Sequence, residues 1–352
     1  MLCSVKLRVA STNFNYLAST SNSEYAIRIW DIQNAELKYV FNSSNGGHIN
    51  RIRTLLALQN GFLVSGSDDD SVKVWDLQTG SLRYTFNSTN GGHSYDVYTL
   101  AELENGYLAS GSVGGQIRIW DINFGKLKYS FSYSSSTSYY INNLVELDDG
   151  YMAASSTGYN TIFVWDITIG RLKYSFSSSN GGHKSLVYAM AKLPNGNLIS
   201  SGDDTIKIWD IVFGRLLYSF DSSNAPLASL SNIISLNILD NRYISTFSSV
   251  SNDYSVKIWD MEERTLKYVF NSTNGGHTDK VRSMVNLENG FLATGSVDDT
   301  IKIWNPTTGK LNYTFDRTNG GHRFPINALA SLNNGYLASG SEDFTIKVWY
   351  VR

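Results

Sequence analysis

The sequence predicts an all-β, eight-bladed β-propeller of four-stranded antiparallel blades, and three observations predict it. Eight tryptophans, Trp30, Trp75, Trp120, Trp165, Trp209, Trp259, Trp304 and Trp349, stand 45, 45, 45, 44, 50, 45 and 45 residues apart. Each interval holds four strand-length segments, and a period in the forties with four strands per copy is the signature of a propeller blade. A Leu-x-Tyr-x-Phe segment recurs seven times, from Leu37, Leu82, Leu127, Leu172, Leu216, Leu266 and Leu311. Its alternation of apolar and polar residues is the period of a strand with one face buried.

The copy from Phe41 to Phe86 gives the elements in order. A polar loop, Asn42 to His48, leads into a first strand over Arg51 to Leu58. The Asn60-Gly61 turn supplies the positive φ that a tight hairpin demands and hands over to a second strand, Phe62 to Ser65. Gly66 to Asp70 make a polar turn, Ser71 to Trp75 a third strand, Thr79-Gly80 another turn, and Leu82 to Phe86 the fourth strand. No segment sustains apolar residues at 3.6 spacing over three turns, so helix has almost no support. The eighth copy stops after its third strand, so that blade is expected to have three strands; the alternative count is seven full blades plus a partial repeat. Val5 to Val9 reads either as the inner strand of the first copy or as the outer strand of the eighth, closing the ring. The inner-strand reading is preferred. Val5 to Tyr16 spans nearly the distance of Val281 to Phe291, and a missing inner strand would open a hole at the axis. Residues 1–352 are then one domain.

Composition narrows the function. The chain is 42% hydrophobic with a formal charge of -2, so it has a core to bury and no whole-molecule basic field for nucleic acid or an anionic membrane. Its one cysteine, Cys3, excludes an internal disulfide framework and fits an intracellular compartment, cytoplasmic or nuclear. No apolar run approaches a signal peptide or a membrane span. Asn-x-Ser/Thr triplets at Asn42, Asn87, Asn271 and Asn312 are read as products of an Asn/Ser-rich repeat, not as glycosylation sites.

The chain resembles the WD-repeat family of β-propellers over essentially its whole length. The motifs that carry the resemblance are Gly47-His48 before the first strand, Ser65 in the second, Asp69 in the tight turn and Trp75-Asp76 closing the third. The resemblance implies that His, Ser/Thr, Asp and Trp are hydrogen-bonded as a set in each blade. Full sets are His48/Ser65/Asp69/Trp75, His183/Ser200/Asp203/Trp209, His277/Thr294/Asp298/Trp304 and His322/Ser339/Asp343/Trp349. The blade of Trp120 keeps His93 and Ser110 but has Gly114 at the Asp position, and the blades of Trp30, Trp165 and Trp259 have no His. These four are expected to be held by packing alone.

All five histidines sit at one repeat phase, so they are read as structural, with no metal and no cofactor. Asp68-Asp69-Asp70 lacks the alternating oxygen spacing of a calcium loop, and no nucleophile, base and orienter recur together. Lys73, Lys207 and Lys302, two before Trp, are expected to snorkel over the indole. The chain is accordingly read as a non-enzymatic interaction scaffold. Its partner is a protein or peptide, not nucleic acid or membrane, and a chain beginning and ending inside strands suggests further domains of a larger protein.

In a four-strand meander the start of the innermost strand and the turn between the second and third strands share one end. The expected binding ring at that channel mouth comprises Lys6, Arg51, Arg53, Asp96, Tyr98, Tyr140, Asn142, Leu186, Tyr188, Asn232, Ile234, Lys280, Arg282, Pro325 and Asn327. Arg51, Arg53, Lys280 and Arg282 suggest an alternative, recognition of acidic or phosphorylated peptides, and Tyr98, Tyr140 and Tyr188 supply aromatic anchors. A channel-site enzyme is the remaining alternative.

Overall fold

The structure is a computed structural model describing residues 3–6, 16–20, 24–104, 106–132, 139–221, 233–248 and 253–351, with the side chains of 3–6 and 334 outside the description. The fold is an eight-bladed β-propeller, all-β, with 3-10 turns and no α-helix among the described residues. Compact packing divides the chain into two units, Met1–Ser177 with blades one to four and Ser178–Arg352 with blades five to eight.

Seven blades are four-stranded meanders in sequence order, and the eighth, among the described residues, has three strands: Ile326–Ser331, Tyr336–Ser341 and Ile346–Tyr350. In blade one, Cys3–Lys6 pairs antiparallel with Tyr16–Thr20, which is the inner-strand reading of this segment with its start shifted two residues earlier than Val5. Blade two has strands Ile52–Ala57, Phe62–Ser67, Val72–Asp76 and Ser81–Phe86, each within two residues of its predicted bounds. First strands of successive blades contact one another within each unit, so they are innermost.

Within each unit, blades bury their faces against their neighbours through a repeated set of contacts. Phe41, last in its blade's Leu-x-Tyr-x-Phe strand, stacks on Trp75 of the next blade at 4.3 Å and 11°. Phe86 on Trp120, Phe131 on Trp165 and Phe270 on Trp304 repeat the pairing at 4.2, 4.6 and 4.3 Å. Full burial of rings this size is the largest single favourable term a blade interface can draw on, about 2 to 3 kcal/mol each. The tyrosine two residues before each of these four phenylalanines lies beside the turn glycine of the next blade. Tyr39, Tyr84, Tyr129 and Tyr268 donate their hydroxyls to the carbonyls of Gln78, Asn123, Thr168 and Thr307, at 3.3, 3.2, 3.0 and 3.0 Å. Along the outer strands a cation covers the aromatic ring that opens the second strand. Lys38 lies over Tyr16, Arg83 over Phe62, Lys128 over Tyr107, Lys173 over Tyr151 and Lys267 over Tyr243, all between 3.6 and 4.7 Å from the centroid.

Candidate functional site

Every first strand from blade two to blade eight is bulged near its start. The register shifts between Ile52 and Thr54, Ile141 and Asn143, Val187 and Ala189, Ile233 and Ser235, Val281 and Ser283, and Ile326 and Ala328. In blade three the same shift falls opposite Gly111 and Ser112, which pair with Thr99 and Val97. The residues left out of the ladders are Arg53, Tyr98, Asn142, Tyr188, Ile234, Arg282 and Asn327. A bulge frees its extra residue from cross-strand pairing and re-aims the side chain. None of the seven is fully buried, whereas the residue before each is. Blade one pairs straight, Cys3 to Thr20 through Lys6 to Leu17, without such a shift; the Lys6 side chain and Asn232 lie outside the described residues.

In the first unit the bulge residues meet. The Arg53 guanidinium lies 4.6 Å over the Tyr98 ring, and Tyr98 stacks on Tyr140 at 4.2 Å and 22°. Asp68, from the turn between second and third strands, takes a hydrogen bond from Arg53 Nε, and Asp96 stands 3.8 Å from the same guanidinium. The Asp68 bond holds Arg53 protonated still more firmly than an ordinary arginine, and burial followed by the Asp68 charge pushes Asp96 up. The Asp68 N–H also donates to the Arg51 carbonyl at 2.9 Å, fastening the turn to the strand start. Arg51 forms no ion pair among the described residues.

In the second unit Arg282 donates to Asn327 of the next blade and to Glu342, whose N–H is bonded to the Pro325 carbonyl at 3.0 Å. Lys280 is exposed and forms no ion pair among the described residues. Leu186 and Tyr188 flank buried Val187, and Ile234 follows buried Ile233. Two aromatic residues that the sequence reading passed over stand out here. Phe324 is 55% exposed and Phe344 is 95% exposed. Phe344 has φ 62, the left-handed conformation that Asp70 and Asp299 adopt in the equivalent turns at φ 66 and 67. Asp tolerates that region and a bulky ring does not favour it, so the departure from the repeated Asp was the available signal.

Within the blades lie the hydrogen-bonded sets. Trp75 Nε1 donates to Ser65 Oγ at 2.9 Å, and His48 Nε2 meets the same oxygen at 2.7 Å while Nδ1 meets Asp69 at 2.8 Å. With the Nδ1–H tautomer every proton is used: indole to hydroxyl, hydroxyl to imidazole, imidazole to carboxylate. Burial alone would raise Asp69, but the His48 ring, the Ser71 hydroxyl and the Ile49 N–H outweigh it and hold the carboxyl far below its usual range.

The other three sets have the same connectivity. In blade five Ser200 Oγ accepts from Trp209 Nε1 at 2.8 Å and stands 2.8 Å from His183 Nε2, whose Nδ1 meets Asp203. In blade seven Thr294 Oγ1 accepts from Trp304 Nε1 at 2.9 Å and stands 2.8 Å from His277 Nε2, with Asp298 2.9 Å from Nδ1. In blade eight Ser339 Oγ accepts from Trp349 Nε1 at 2.8 Å and stands 2.7 Å from His322 Nε2, with Asp343 2.8 Å from Nδ1. Ser200, Thr294 and Ser339 are buried on their second strands, so these hydroxyls serve the blade and present nothing to a partner. Thr294 and Ser339 differ from Ser200 in one respect: each hydroxyl also lies 3.5 Å from a third-strand carbonyl, that of Lys302 or Lys347. Trp349, in the three-stranded blade, is half-buried where Trp75, Trp209 and Trp304 are buried.

Three of the four incomplete blades differ from the expectation of packing alone. Trp30, Trp120 and Trp259 keep their indole bonds to Ser19, Ser110 and Thr246 at 2.8, 2.8 and 2.9 Å. The hydroxyl sits on the second strand, beside the indole, and needs no histidine to reach it. Only blade four, with Ala154 at the hydroxyl position, leaves Trp165 Nε1 unpaired among the described residues. In blade three His93 Nδ1, facing Gly114 instead of an aspartate, is likewise buried without a partner. Lys73 is buried with its amine 3.4 Å from Thr85 Oγ1, and Lys302 reaches Thr314 at 3.5 Å. Asn42, Asn87 and Asn271, the first residues of three Asn-x-Ser/Thr triplets, cap short 3-10 turns by accepting from the N–H two residues on. Among the described residues no three His, Cys, Asp or Glu side chains are grouped to hold a metal, and no helix is long and apolar enough to cross a membrane.

Comparison with known proteins follows the same lines. The family described as WD domain, G-beta repeat matches residues 36–76, 80–121, 171–210, 267–305 and 309–350. Among solved structures, a crystal structure of the computationally designed Ika8 protein is similar, with 27% identity, a TM-score of 0.77 and 99% of each chain covered. No curated protein matches the sequence.

Proposed function

We propose, from the premise that the chain belongs to the WD domain, G-beta repeat family, that it is a non-catalytic scaffold whose protein or peptide partner docks across the bulged strand ends. In this reading residues 1–352 act as one domain, without a resident cofactor, in the cytoplasm or nucleus. Propellers of the family are commonly interaction scaffolds. The observation that carries the reading is a contrast within the repeat. Buried positions repeat their chemistry from blade to blade, as the Phe–Trp stacks do, while the seven bulge residues are Arg, Tyr, Asn, Tyr, Ile, Arg and Asn. A scaffold that repeats its core and varies one surface position per blade is built to present a composite surface, and Arg and Tyr are the usual interface anchors.

The second reading, recognition of acidic or phosphorylated peptides, is favoured by Arg51 and Lys280, whose charges no carboxylate neutralises among the described residues. Arg53 and Arg282 already have carboxylate partners, so an incoming acid competes with Asp68 and Glu342 for them. Affinity capture with wild type, Tyr98→Ala, Phe344→Asp and Arg51→Ala/Lys280→Ala as baits tests both. Loss with Tyr98→Ala or Phe344→Asp supports the scaffold face; selective loss with Arg51→Ala/Lys280→Ala that grows at low salt supports the acidic peptide. Identical capture by all four folded baits removes this face from consideration.

A further inference from the structure

The repeat breaks at three positions that converge on one place between blades five and six. Where other blades open the second strand with an aromatic residue, blade five has Asn197. Where the outer strands of blades one, two, three, four and six carry the Lys or Arg that covers that ring, it has Leu217. Where blades two, three, four, five and seven have a turn glycine with φ between 63 and 69, blade six has Arg264 with φ 57.

The third break acts on the second unit's packing. A Cβ at Gly80, Gly125 or Gly309 would stand 2.4, 2.4 or 2.5 Å from the preceding blade's tyrosine ring, so those tyrosines lie flat only because the glycines have none. Arg264 has one, and Tyr218 has no such seat. Its ring turns edge-on to Phe220, at 4.9 Å and 89°, where Tyr39–Phe41, Tyr84–Phe86 and Tyr268–Phe270 are stacked within 20°. Phe220 follows, meeting Trp259 at 64° instead of stacking on it. Tyr313, which has no turn glycine to lie on among the described residues, is turned from Phe315 in the same way, at 62°.

The displaced ring and the missing aromatic leave a cavity of about 400 Å³. Leu217, Ile208 and Met261 line it with apolar surface, Asn197 and Asn241 with amides, and Arg264 stands at its edge with the guanidinium 4.6 Å over Tyr218. Although Glu262 and Glu263 precede it, they lie 3.4 and 3.5 Å from Arg242 instead, and Arg264 forms no ion pair among the described residues. Left-handed backbone at an arginine costs energy that the glycine of five other blades avoids, although blade one has Ala35 there with φ 54, and such strain concentrates at ligand sites. The volume suits a small molecule, and an apolar floor with a few convergent polar groups is what such sites have.

We infer that this cavity is a binding site for a small organic carboxylate with an apolar body, the body seated on Leu217, Ile208 and Met261 and the carboxylate paired with Arg264. The pairing is charge-assisted and the guanidinium is held in plane by Tyr218. The test uses 3-phenylpropionate and its uncharged amide as probes of the full chain. The chain has five methionines, so methyl-labelled methionine reports Met261 against Met152, Met190 and Met284. The acid moves the Met261 methyl signal saturably while the other three stay, and the amide binds at least about fivefold more weakly. Arg264→Gly and Asn197→Tyr each install the residue other blades use, so they fold, and each weakens the acid at least about tenfold. A Met261 signal unmoved by the acid, acid and amide bound equally, or undiminished binding by Arg264→Gly overturns the assignment.

Discussion

The Tyr39 ring lies over Gly80 so closely that a β-carbon on that glycine would stand 2.4 Å from Cε1. Gly80→Ala therefore has to displace the ring and also place a side chain at φ 69. We expect a loss of about 1 to 3 kcal/mol in denaturant unfolding. Arg264→Gly is the reverse change and is expected to gain about 1 kcal/mol. Equal midpoints for wild type and Gly80→Ala contradict the seat.

Blade four gives a prediction of opposite sign to most core substitutions. Ala154→Ser supplies the hydroxyl that Trp165 Nε1 lacks and is expected to stabilise by about 1 kcal/mol. Ser65→Ala strands both the Trp75 indole and His48 Nε2, and is expected to cost about 1 to 3 kcal/mol. Thermal unfolding of the two variants beside wild type measures both.

Acid sensitivity follows from His93. Burial, and then the Arg118 charge, push its pKa down to about 3, whereas an unfolded histidine titrates near 6.5. Between those values the unfolded chain binds the proton and the folded chain does not, so stability falls as pH drops from about 6.5 toward 3. His93→Gln is expected to flatten that slope, read from urea midpoints at several pH values. Asp343 acts lower. Burial alone would raise it, but Thr345, His322 and the Arg323 N–H hold it at about 2, so its contribution is present above about 4 and disappears as pH falls through about 2.

Trp75→Ala, which removes a fully buried ring and its stack with Phe41, is expected to cost about 3 to 5 kcal/mol. Phe344→Asp, at a 95% exposed position where other blades use Asp, should stay within about 0.5 kcal/mol of wild type. Similar thermal shifts for the two contradict the assignment of Trp75 to the core.

The blade count and the three-stranded last blade were legible because Trp and Leu-x-Tyr-x-Phe report burial, and burial has a period. The bulges were not. Arg53, Asn142 and Ile234 share no chemistry that would mark them, since a bulge is a property of how two backbones pair. The positions flanking Ile52 or Val281 were readable as one phase, but the Arg53–Asp68 and Arg282–Glu342 pairs join residues 15 and 60 apart in sequence and depend on that pairing. The full sets through Ser200, Thr294 and Ser339 were readable because all four members recur at the same spacing to within one residue. The expectation that blades one, three and six rely on packing failed for a related reason: absence of His or Asp was visible, while Ser19, Ser110 and Thr246 each needed a strand register to show that they reach an indole.

The bulged strand starts also separate two design problems that most surfaces must solve together. A residue in a ladder answers to its cross-strand partner; Tyr98 and Ile234 stand outside the ladders and answer only to the side chains beside them, Arg53 and Tyr140 for one and the edge of a blade core for the other. Substitution at such a place changes what the blade offers without renegotiating how the blade holds together. Within each unit, such a place can change its side chain without re-registering a strand, so a different surface chemistry is reachable by single mutational steps.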